Sequence, residues 1–266
     1  MPEGLGQAIV ETAGDIAALL RAVPDTSAPV PGSRWSVGEA AAHLALANEL
    51  MADLASGRER PYGDGTPGSL AAANARALAG FGERRAEPLA TMISEQAGLF
   101  LEAVGQAASH GPAENPTPLT PLGPMDPAVL GSYLLTHMLG HGYDLARAAH
   151  RRHMLDRDRV MLCMPFMLSV MPRVADPAAT AGLTARYAIR LRNGAAFGVV
   201  LADGAVNVTP GPPDRPDCTI LLEPVTFLLI ALGRRNPWRA IARGQVVAWG
   251  RRPWLAPRFP TLFTAP

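Results

Sequence analysis

A long helix is predicted at residues 126–152, which read DPAVLGSYLLTHMLGHGYDLARAAHRR. Asp126 and Pro127 open it, because aspartate accepts hydrogen bonds from the first backbone N–H groups of a helix and proline fits its first turn. His137 and His141 are four residues apart, so their imidazole rings lie on one face of the helix, one turn apart. That spacing allows two side chains to bind one metal ion.

A third histidine and an aspartate extend this pattern. His43 lies in the middle of another predicted helix, among small residues (EAAAHLALAN), from where its side chain could reach across the interior of a bundle. Asp144 follows on the same face as His141 and could accept the free ring N–H of a ligating histidine. The spacing alone is weak evidence, because six histidines in 266 residues give roughly a one in ten chance that some pair falls four apart. The alternative is that His137 and His141 are hydrogen-bonded core or surface histidines.

The first two thirds of the chain reads as helices joined by loops rich in proline. Ser36 and Glu39 form an S-x-x-E capping box, and Trp35 before it could pack on the first turn of the helix that follows. Four or five long helices indicate an antiparallel four-helix bundle. Apolar spacing, caps and prolines predict helices at 5–23, 36–57, 69–80, 88–109 and 126–152, with proline-rich breaks at 24–31 and 111–127. A last apolar segment, at 158–174, closes this part of the chain.

The sequence pattern changes after about residue 180, where short apolar runs alternate with turn residues. Asn193-Gly194 and Asp203-Gly204 are typical hairpin turns between such runs. Strands are predicted at 184–192, 196–203, 205–210, 217–222 and 245–250, and helices at 223–234 and 237–244. The sequence therefore predicts a helical domain at 1–178 followed by a small α+β domain at 179–266.

Composition excludes several classes of function. All 24 basic residues are arginine, which rules out Schiff-base chemistry, a covalently held pyridoxal cofactor and a P-loop lysine. A formal net charge of +1 and the lack of long basic runs argue against nucleic acid as the main partner. Cys163 and Cys218 each lie in an apolar run and are expected to be reduced core residues.

The sequence also predicts a protein that is not inserted in a membrane. The first residues lack the basic and apolar regions of a signal peptide. The longest apolar stretch, at 160–171, is too short to span a bilayer and is interrupted by Pro165. We therefore expect a cytoplasmic protein, either a monomer or a homodimer.

Two segments, RWSVGEAAAHLALANE at 34–49 and HMLGHGYDLARAAHRR at 137–152, resemble the mycothiol-dependent maleylpyruvate isomerase family, within the wider DinB-like metal-binding bundles. In that family a W-[ST]-x₆-H segment supplies one histidine ligand, and an E/H-x-x-x-H-x-x-D-L-A helix supplies two more ligands. The resemblance implies that His43, His137 and His141 bind Zn²⁺ or another divalent metal. Asp144 then takes the place of the family's aspartate, as a hydrogen-bond partner of a ligand. Mycothiol would be the thiol co-substrate.

One position departs from the isomerase, which has glutamate where this chain has His137. Three neutral imidazoles leave the double charge of a divalent metal uncompensated, so a bound thiol or water would be more acidic than beside a carboxylate. This favours thiol activation in general over maleylpyruvate isomerisation in particular.

Residues 183–266 resemble the small sterol-carrier-type domain that often follows the bundle. In the isomerase an arginine in a turn of that domain serves catalysis, and the segment ALGRRNP puts Arg234 at the matching place, with Arg235 beside it. The resemblance implies that Arg234 holds a carboxylate of the substrate. The alternative is a cation that stabilises the carboxyl end of a helix.

Three functions from different classes follow. The first is an enzyme of small-molecule metabolism, secondary metabolism included, that activates a low-molecular-weight thiol for attack on a small electrophile, by S-transfer or cis–trans isomerisation. The second is a binding protein whose sterol-carrier-type half takes an apolar ligand while the metal is structural. Met164, Phe166, Met167 and Met171 could line an apolar pocket, although residues at such helical spacing are more often core. The third is a metal-free regulatory scaffold.

Overall fold

The computed structural model describes residues 1–264 except 59, 61, 65 and 111–116. The connection predicted at 111–127 and the loop before residue 69 therefore lie partly outside the described residues. The chain forms two compact units, Met1–Leu155 and Asp156–Pro266. The first unit is helical, and the second is built around a five-stranded sheet. The two-domain architecture predicted from the sequence, helices followed by an α+β domain, is confirmed.

Four long helices form the bundle of the first unit. Helices α1 and α2 each pack against both α4 and α5, and the short α3 packs on α2. The helices of this unit are α1 (Leu5–Arg21), α2 (Val37–Ala55), α3 (Leu70–Ala79), α4 (Ala86–His110) and α5 (Pro127–Ala148). A two-residue hairpin, β1 (Leu119–Thr120) with β2 (Gly123–Pro124), precedes α5. The core between the helices is built from leucine, isoleucine, alanine and Phe100, the largest fully buried side chain there.

Side-chain caps fix where the two histidine-bearing helices begin. The Ser36 backbone N–H donates to Glu39 Oε2 at 2.8 Å, and the Glu39 N–H donates to Ser36 Oγ at 3.2 Å, which completes the predicted capping box of α2. Asp126 Oδ1 accepts from the Ala128 and Val129 N–H groups, both at 2.9 Å, at the start of α5. Both helix starts were therefore predicted correctly.

Gly38, in the first turn of α2, allows a close approach of two backbone segments. Its N–H donates to the Thr26 carbonyl at 2.7 Å. A Cβ at this position would lie 2.8 Å from the Arg84 carbonyl oxygen, so no side chain fits without a shift of the backbone. The loop before α2 and the start of α4 can thus both pack against the capped end of the helix.

The second unit is a mixed sheet with strand order β5-β4-β3-β6-β7. Strand β3 pairs antiparallel with β4 and parallel with β6, and the outer pairs are antiparallel. Asn193 and Asp203 adopt positive φ in the two predicted hairpin turns. The strands are β3 (Ala185–Leu191), β4 (Ala196–Ala202), β5 (Ala205–Pro210), β6 (Cys218–Leu222) and β7 (Val246–Trp249).

Short helices complete this unit. The last apolar segment, at 158–174, forms two helices followed by a 3₁₀ turn, because Pro165 and Pro172 each start a new helical piece. The helices are α6 (Arg157–Leu162), α7 (Met164–Val170), α8 (Pro177–Thr180), α9 (Pro224–Ala231) and α10 (Pro237–Ala242), with a 3₁₀ stretch at Pro253–Leu262.

The division between the units falls at 155/156, earlier than the boundary expected at 178/179. It does so because α6 packs on α9 and the 3₁₀ turn after α7 packs on β5, so these pieces contact the second unit's own elements. The two units also differ in charge. The first has 16 acidic and 10 basic residues, and the second has 7 acidic and 14 basic residues. Among the described residues, no helix is long and apolar enough to cross a membrane.

Candidate metal centre

The structure brings three histidines of the first unit together. His43 of α2 and His137 of α5 approach with their Nε2 atoms 3.1 Å apart. One ring nitrogen from each of His43, His137 and His141 lies within 4.8 Å of the others, so the three side chains converge on one point. His43 is buried, and the other two are half-buried. This is the trio predicted from spacing and resemblance, and its geometry would let it hold a metal ion.

The helix packing explains why the histidines meet. Helices α2 and α5 are direct neighbours in the bundle, and their caps fix the position of each along its axis. On α5, residues 133, 137, 141 and 144 are half-buried, whereas most residues between them are buried. His137 and His141 therefore lie along a stripe of α5 that solvent reaches in part.

The donor set fits a divalent metal such as zinc. Two nitrogens bound to one tetrahedral Zn²⁺ at about 2.05 Å lie about 3.3 Å apart, close to the 3.1 Å between His43 and His137. The chemistry also fits, because neutral imidazole is a common ligand of zinc and of other transition metals. Three protein ligands leave positions on the metal open, which is the arrangement of catalytic rather than structural zinc sites.

Asp144 is placed beside the trio. Its Oδ2 lies 3.8 Å from His141 Nδ1, with both side chains about one-seventh exposed. This distance is longer than a hydrogen bond, but it puts the carboxylate on the ring nitrogen that faces away from a metal bound through Nε2. Asp144 is thus in position to orient His141.

Two aromatic residues that the sequence did not assign to the site flank it. The ring centroid of Trp35 lies 4.7 Å from that of His43 and 6.1 Å from that of His141. Tyr133, one turn before His137 on α5, has its ring edge-on to that histidine at 6.3 Å. Burial raises the pKa of the Tyr133 phenol well above its usual range, so the hydroxyl remains protonated. Its spacing of four residues before His137 is the signal that could have revealed it.

Arg234 lies in the second unit, just after α9. Gly233 ends this helix with φ of 71°, and the Arg234 N–H donates to the Leu229 carbonyl at 2.8 Å. Its guanidinium donates to the Leu232 carbonyl at 2.6 Å, and Arg235 donates to Thr226 Oγ1 at 2.8 Å. The contact with Leu232 agrees with the alternative that Arg234 stabilises the carboxyl end of α9, whereas Arg235 reaches the first turn of the same helix.

The second unit also contains an apolar cavity of about 250 Å³. Helices α7 and α9, the sheet and the C-terminal 3₁₀ stretch all line it. Of the four residues that the sequence left as either pocket or core, Phe166, Met167 and Met171 are part of its wall, whereas Met164 is buried and is not among the lining residues. The other large side chains of the wall include Ile189, Phe227 and Phe259.

The two cysteines lie outside the candidate centre. Cys163 and Cys218 are both buried, and neither is in a disulfide, as predicted. Burial raises the pKa of the Cys218 thiol to about 11, so it is not a thiolate at neutral pH. Neither residue belongs to the three-histidine cluster, so a reacting thiol would come from another molecule.

A helical bundle with three convergent histidines, followed by a small α+β unit with an apolar cavity, defines a two-domain protein with a candidate metal centre. The model of the mycothiol maleylpyruvate isomerase N-terminal domain matches residues 9–146, and that of the SCP-2 sterol transfer family matches residues 170–250. Since the first match spans half of the chain, the chain belongs to the mycothiol maleylpyruvate isomerase N-terminal domain family. The predicted family is confirmed.

Two solved structures of the isomerase agree with this assignment at the level of the fold. A crystal structure of the mycothiol-dependent maleylpyruvate isomerase is 14% identical, with a TM-score of 0.51 and 93% of each chain covered. A histidine-to-alanine mutant of that isomerase gives 13% identity, a TM-score of 0.53 and the same coverage. A sec-alkylsulfatase from Pseudomonas sp. matches 52% of this chain but only 24% of its own, with 14% identity and a TM-score of 0.34. A search of curated proteins found no significant match.

Proposed function

We propose that the protein is a metal- and thiol-dependent enzyme that attaches a low-molecular-weight thiol, mycothiol by family, to an electrophilic carbon of a small substrate. The single observation that carries the proposal is the convergence of His43, His137 and His141, within 4.8 Å of one another, in a bundle of this family. A divalent metal held by the three imidazoles would lower the pKa of a bound thiol, so that thiolate is available near neutral pH.

Residues of the chain would have distinct parts in this reaction. His43, His137 and His141 would hold the metal, and Asp144 would keep the His141 ring oriented. The protonated hydroxyl of Tyr133, beside His137, would donate a hydrogen bond to a molecule that enters the site. Arg234 would hold a carboxylate of the substrate, most effectively with two parallel hydrogen bonds. This last assignment rests on the family resemblance alone.

Two outcomes of the same attack are compatible with these residues. If the thiolate adds to a carbon–carbon double bond conjugated with a carbonyl group, the electron pair moves onto the carbonyl and the new single bond can rotate. Expulsion of the thiolate then restores the double bond in the other geometry, which is a cis–trans isomerisation. If the attacked carbon instead bears a leaving group, or if the adduct is protonated, the thiol stays on the product. Three neutral ligands favour thiol activation and do not select between these outcomes.

The first experiment separates the enzyme from a metal-free scaffold. Protein purified without chelator and offered Zn²⁺ is expected to retain one metal per chain, and the His141→Ala variant is expected to retain much less. Turnover of unsaturated or halogenated carboxylic acids is then measured with and without mycothiol. A wild-type chain that binds no stoichiometric metal, or that reacts equally well without thiol, contradicts the proposal.

Arg234 has its own test. Arg234→Ala is expected to lower turnover of carboxylate substrates while metal content stays unchanged, because the arginine belongs to the other unit and is not a ligand. Arg239→Ala is the matched control, since that arginine is exposed on α10. A larger effect on metal content than on turnover would remove Arg234 from a substrate role.

A second candidate function is favoured by the cavity of the second unit. Its wall is almost entirely apolar and its volume of about 250 Å³ suits part of a lipid-like molecule. Binding of a fluorescent fatty acid, with Ile189→Trp as a variant that fills the cavity, tests this function. Saturable binding by the wild type and its loss in the variant would support it, and binding that is the same in both would contradict it.

We also propose that the protein works in the cytoplasm, where thiols are kept reduced. Both cysteines are buried thiols that form no disulfide, which fits a reducing compartment.

A further inference from the structure

We propose that Trp35 is a positioning residue of the metal centre, whose indole holds the rings of His43 and His141 and covers that side of the three-histidine cluster. The inference rests on the proposed metal centre and adds a residue that acts through the ligands. It is carried by the placement of one side chain against two histidines that come from different helices.

The backbone around Trp35 is held on both sides. The Trp35 N–H donates to Ser33 Oγ at 3.1 Å, and its carbonyl accepts from the Val30 N–H at 2.9 Å. The next residue, Ser36, is locked in the capping box, and the Val37 N–H donates to the Ala28 carbonyl at 2.9 Å. The backbone from which the indole extends therefore has a fixed position at the start of α2. A residue that orients its neighbours needs such a rigid support.

The contacts of the indole are more than local packing. A hydrophobic residue before a helix cap normally packs on the first turn of its own helix. Trp35 instead contacts His43, about two turns into α2, with the ring planes tilted by 44°. It also approaches His141 of α5, with the planes tilted by 32°. A single flat side chain thus limits the rotation of two candidate ligands that come from different helices.

The arrangement is also asymmetric. Trp35 lies beside His43 and His141, whereas the aromatic ring next to His137 is that of Tyr133, whose hydroxyl is polar. One side of the cluster is thus covered by an apolar surface that offers a metal no ligand. The indole would exclude water from that side and would so reduce the number of positions that water could occupy on a bound metal.

Cobalt substitution tests this role without any assay of activity. Co²⁺ replaces zinc in nitrogen-ligand sites, and its visible absorption weakens when coordination rises from four towards six. Two variants are compared: Trp35→Phe, which keeps a flat ring, and Trp35→Leu, which keeps apolar volume without one. We expect Trp35→Leu to bind Co²⁺ about 10- to 100-fold more weakly than wild type, with weaker bands, because partners that orient ligands have effects of that size. Trp35→Phe should stay within about threefold, since a ring still faces both histidines.

The controls keep the outcomes distinct. Trp254→Leu, at an exposed position of the second unit, should leave affinity and spectrum unchanged, and helical circular dichroism establishes that each variant is folded. Equal affinities and spectra for Trp35→Leu and wild type would overturn the role of Trp35 while leaving the metal centre intact. A wild-type chain that binds no Co²⁺ would overturn both this inference and the proposed function.

Fluorescence gives an independent reading. The chain has four tryptophans, and the other three are exposed residues of the second unit, Trp238, Trp249 and Trp254. Replacing these three by Phe leaves Trp35 as the only tryptophan. Its emission should be quenched by Co²⁺ with saturation at one equivalent, and His43→Ala in the same background should abolish that step. Emission that does not respond to bound Co²⁺ would show that Trp35 is not at the metal and would refute the inference.

Discussion

Replacing His43 by alanine is expected to weaken zinc binding by about 10²- to 10³-fold. His43 is the only candidate ligand supplied by α2, and it is buried, with 5% of its surface exposed, so no neighbouring solvent-facing group replaces it readily. Structural sites with four ligands bind Zn²⁺ with a free energy of about 10–16 kcal/mol, which is roughly 3–4 kcal/mol per ligand. Each 1.4 kcal/mol is a factor of about ten, which gives the expected range.

The affinity is measured by competition with a chromophoric chelator, and thermal unfolding gives a second reading. At a zinc concentration about 100 times the wild-type dissociation constant, binding stabilises the wild type by about 2.7 kcal/mol. A variant that binds 100-fold more weakly would gain only about 0.4 kcal/mol under the same conditions.

The matched control for this prediction is His153→Ala. This histidine is exposed, lies beyond the end of α5 and is not one of the three convergent residues. The His153→Ala variant should therefore bind zinc with the same affinity as wild type. If His43→Ala, shown to be folded, binds zinc within threefold of wild type, the three-histidine centre is refuted.

Further predictions concern the ligand environment, the helix start and alkaline stability. Asp144→Ala should weaken zinc binding by about 10- to 100-fold in the same competition assay, because the carboxylate no longer orients His141; an unchanged affinity would contradict this. Gly38→Ala should lower the free energy of unfolding by about 1–3 kcal/mol because its Cβ meets a backbone carbonyl. Gly105→Ala, in α4 where a Cβ meets nothing, should instead raise it by about 0.5–1 kcal/mol, and chemical denaturation of both variants measures the contrast. Since the pKa of Cys218 rises from 9.0 to about 11 in the folded chain, stability should be retained below pH 9 and fall as pH rises towards 11. Cys218→Ala should reduce that fall, measured as the change in Tm between pH 8 and pH 11, and an unchanged fall would contradict this.

The elements of the fold could be predicted largely from local signals. Caps and prolines at Ser36 and Asp126 gave the starts of α2 and α5, and alternation with turn residues gave the five strands of the sheet. The segment at 158–174 was predicted only as an apolar stretch interrupted by Pro165, and in the structure Pro165 and Pro172 each begin a new helical piece. Apolar spacing alone does not show how many helical pieces such a stretch contains.

The candidate site could be predicted only in part. Spacing puts His137 and His141 on one face, and its place in another helix made His43 a candidate. Spacing does not say which helix packs opposite the pair, and the family resemblance joined His43 to it. Trp35 was assigned to its own helix because a capping pattern describes only neighbours in sequence, whereas its contact with His141 depends on the packing of α2 against α5. Tyr133 was missed because a tyrosine in an apolar run resembles a core residue until its half-buried position is known.

The unequal distribution of acidic and basic residues has a practical consequence for the two units. The whole chain has a net charge of only +1 and an isoelectric point near 7.9, yet its first unit is acidic and its second is basic. Produced separately, the first unit would bind an anion exchanger at neutral pH and the second a cation exchanger. The near-neutral total therefore describes neither half, and solubility, purification and salt dependence have to be considered for each unit on its own.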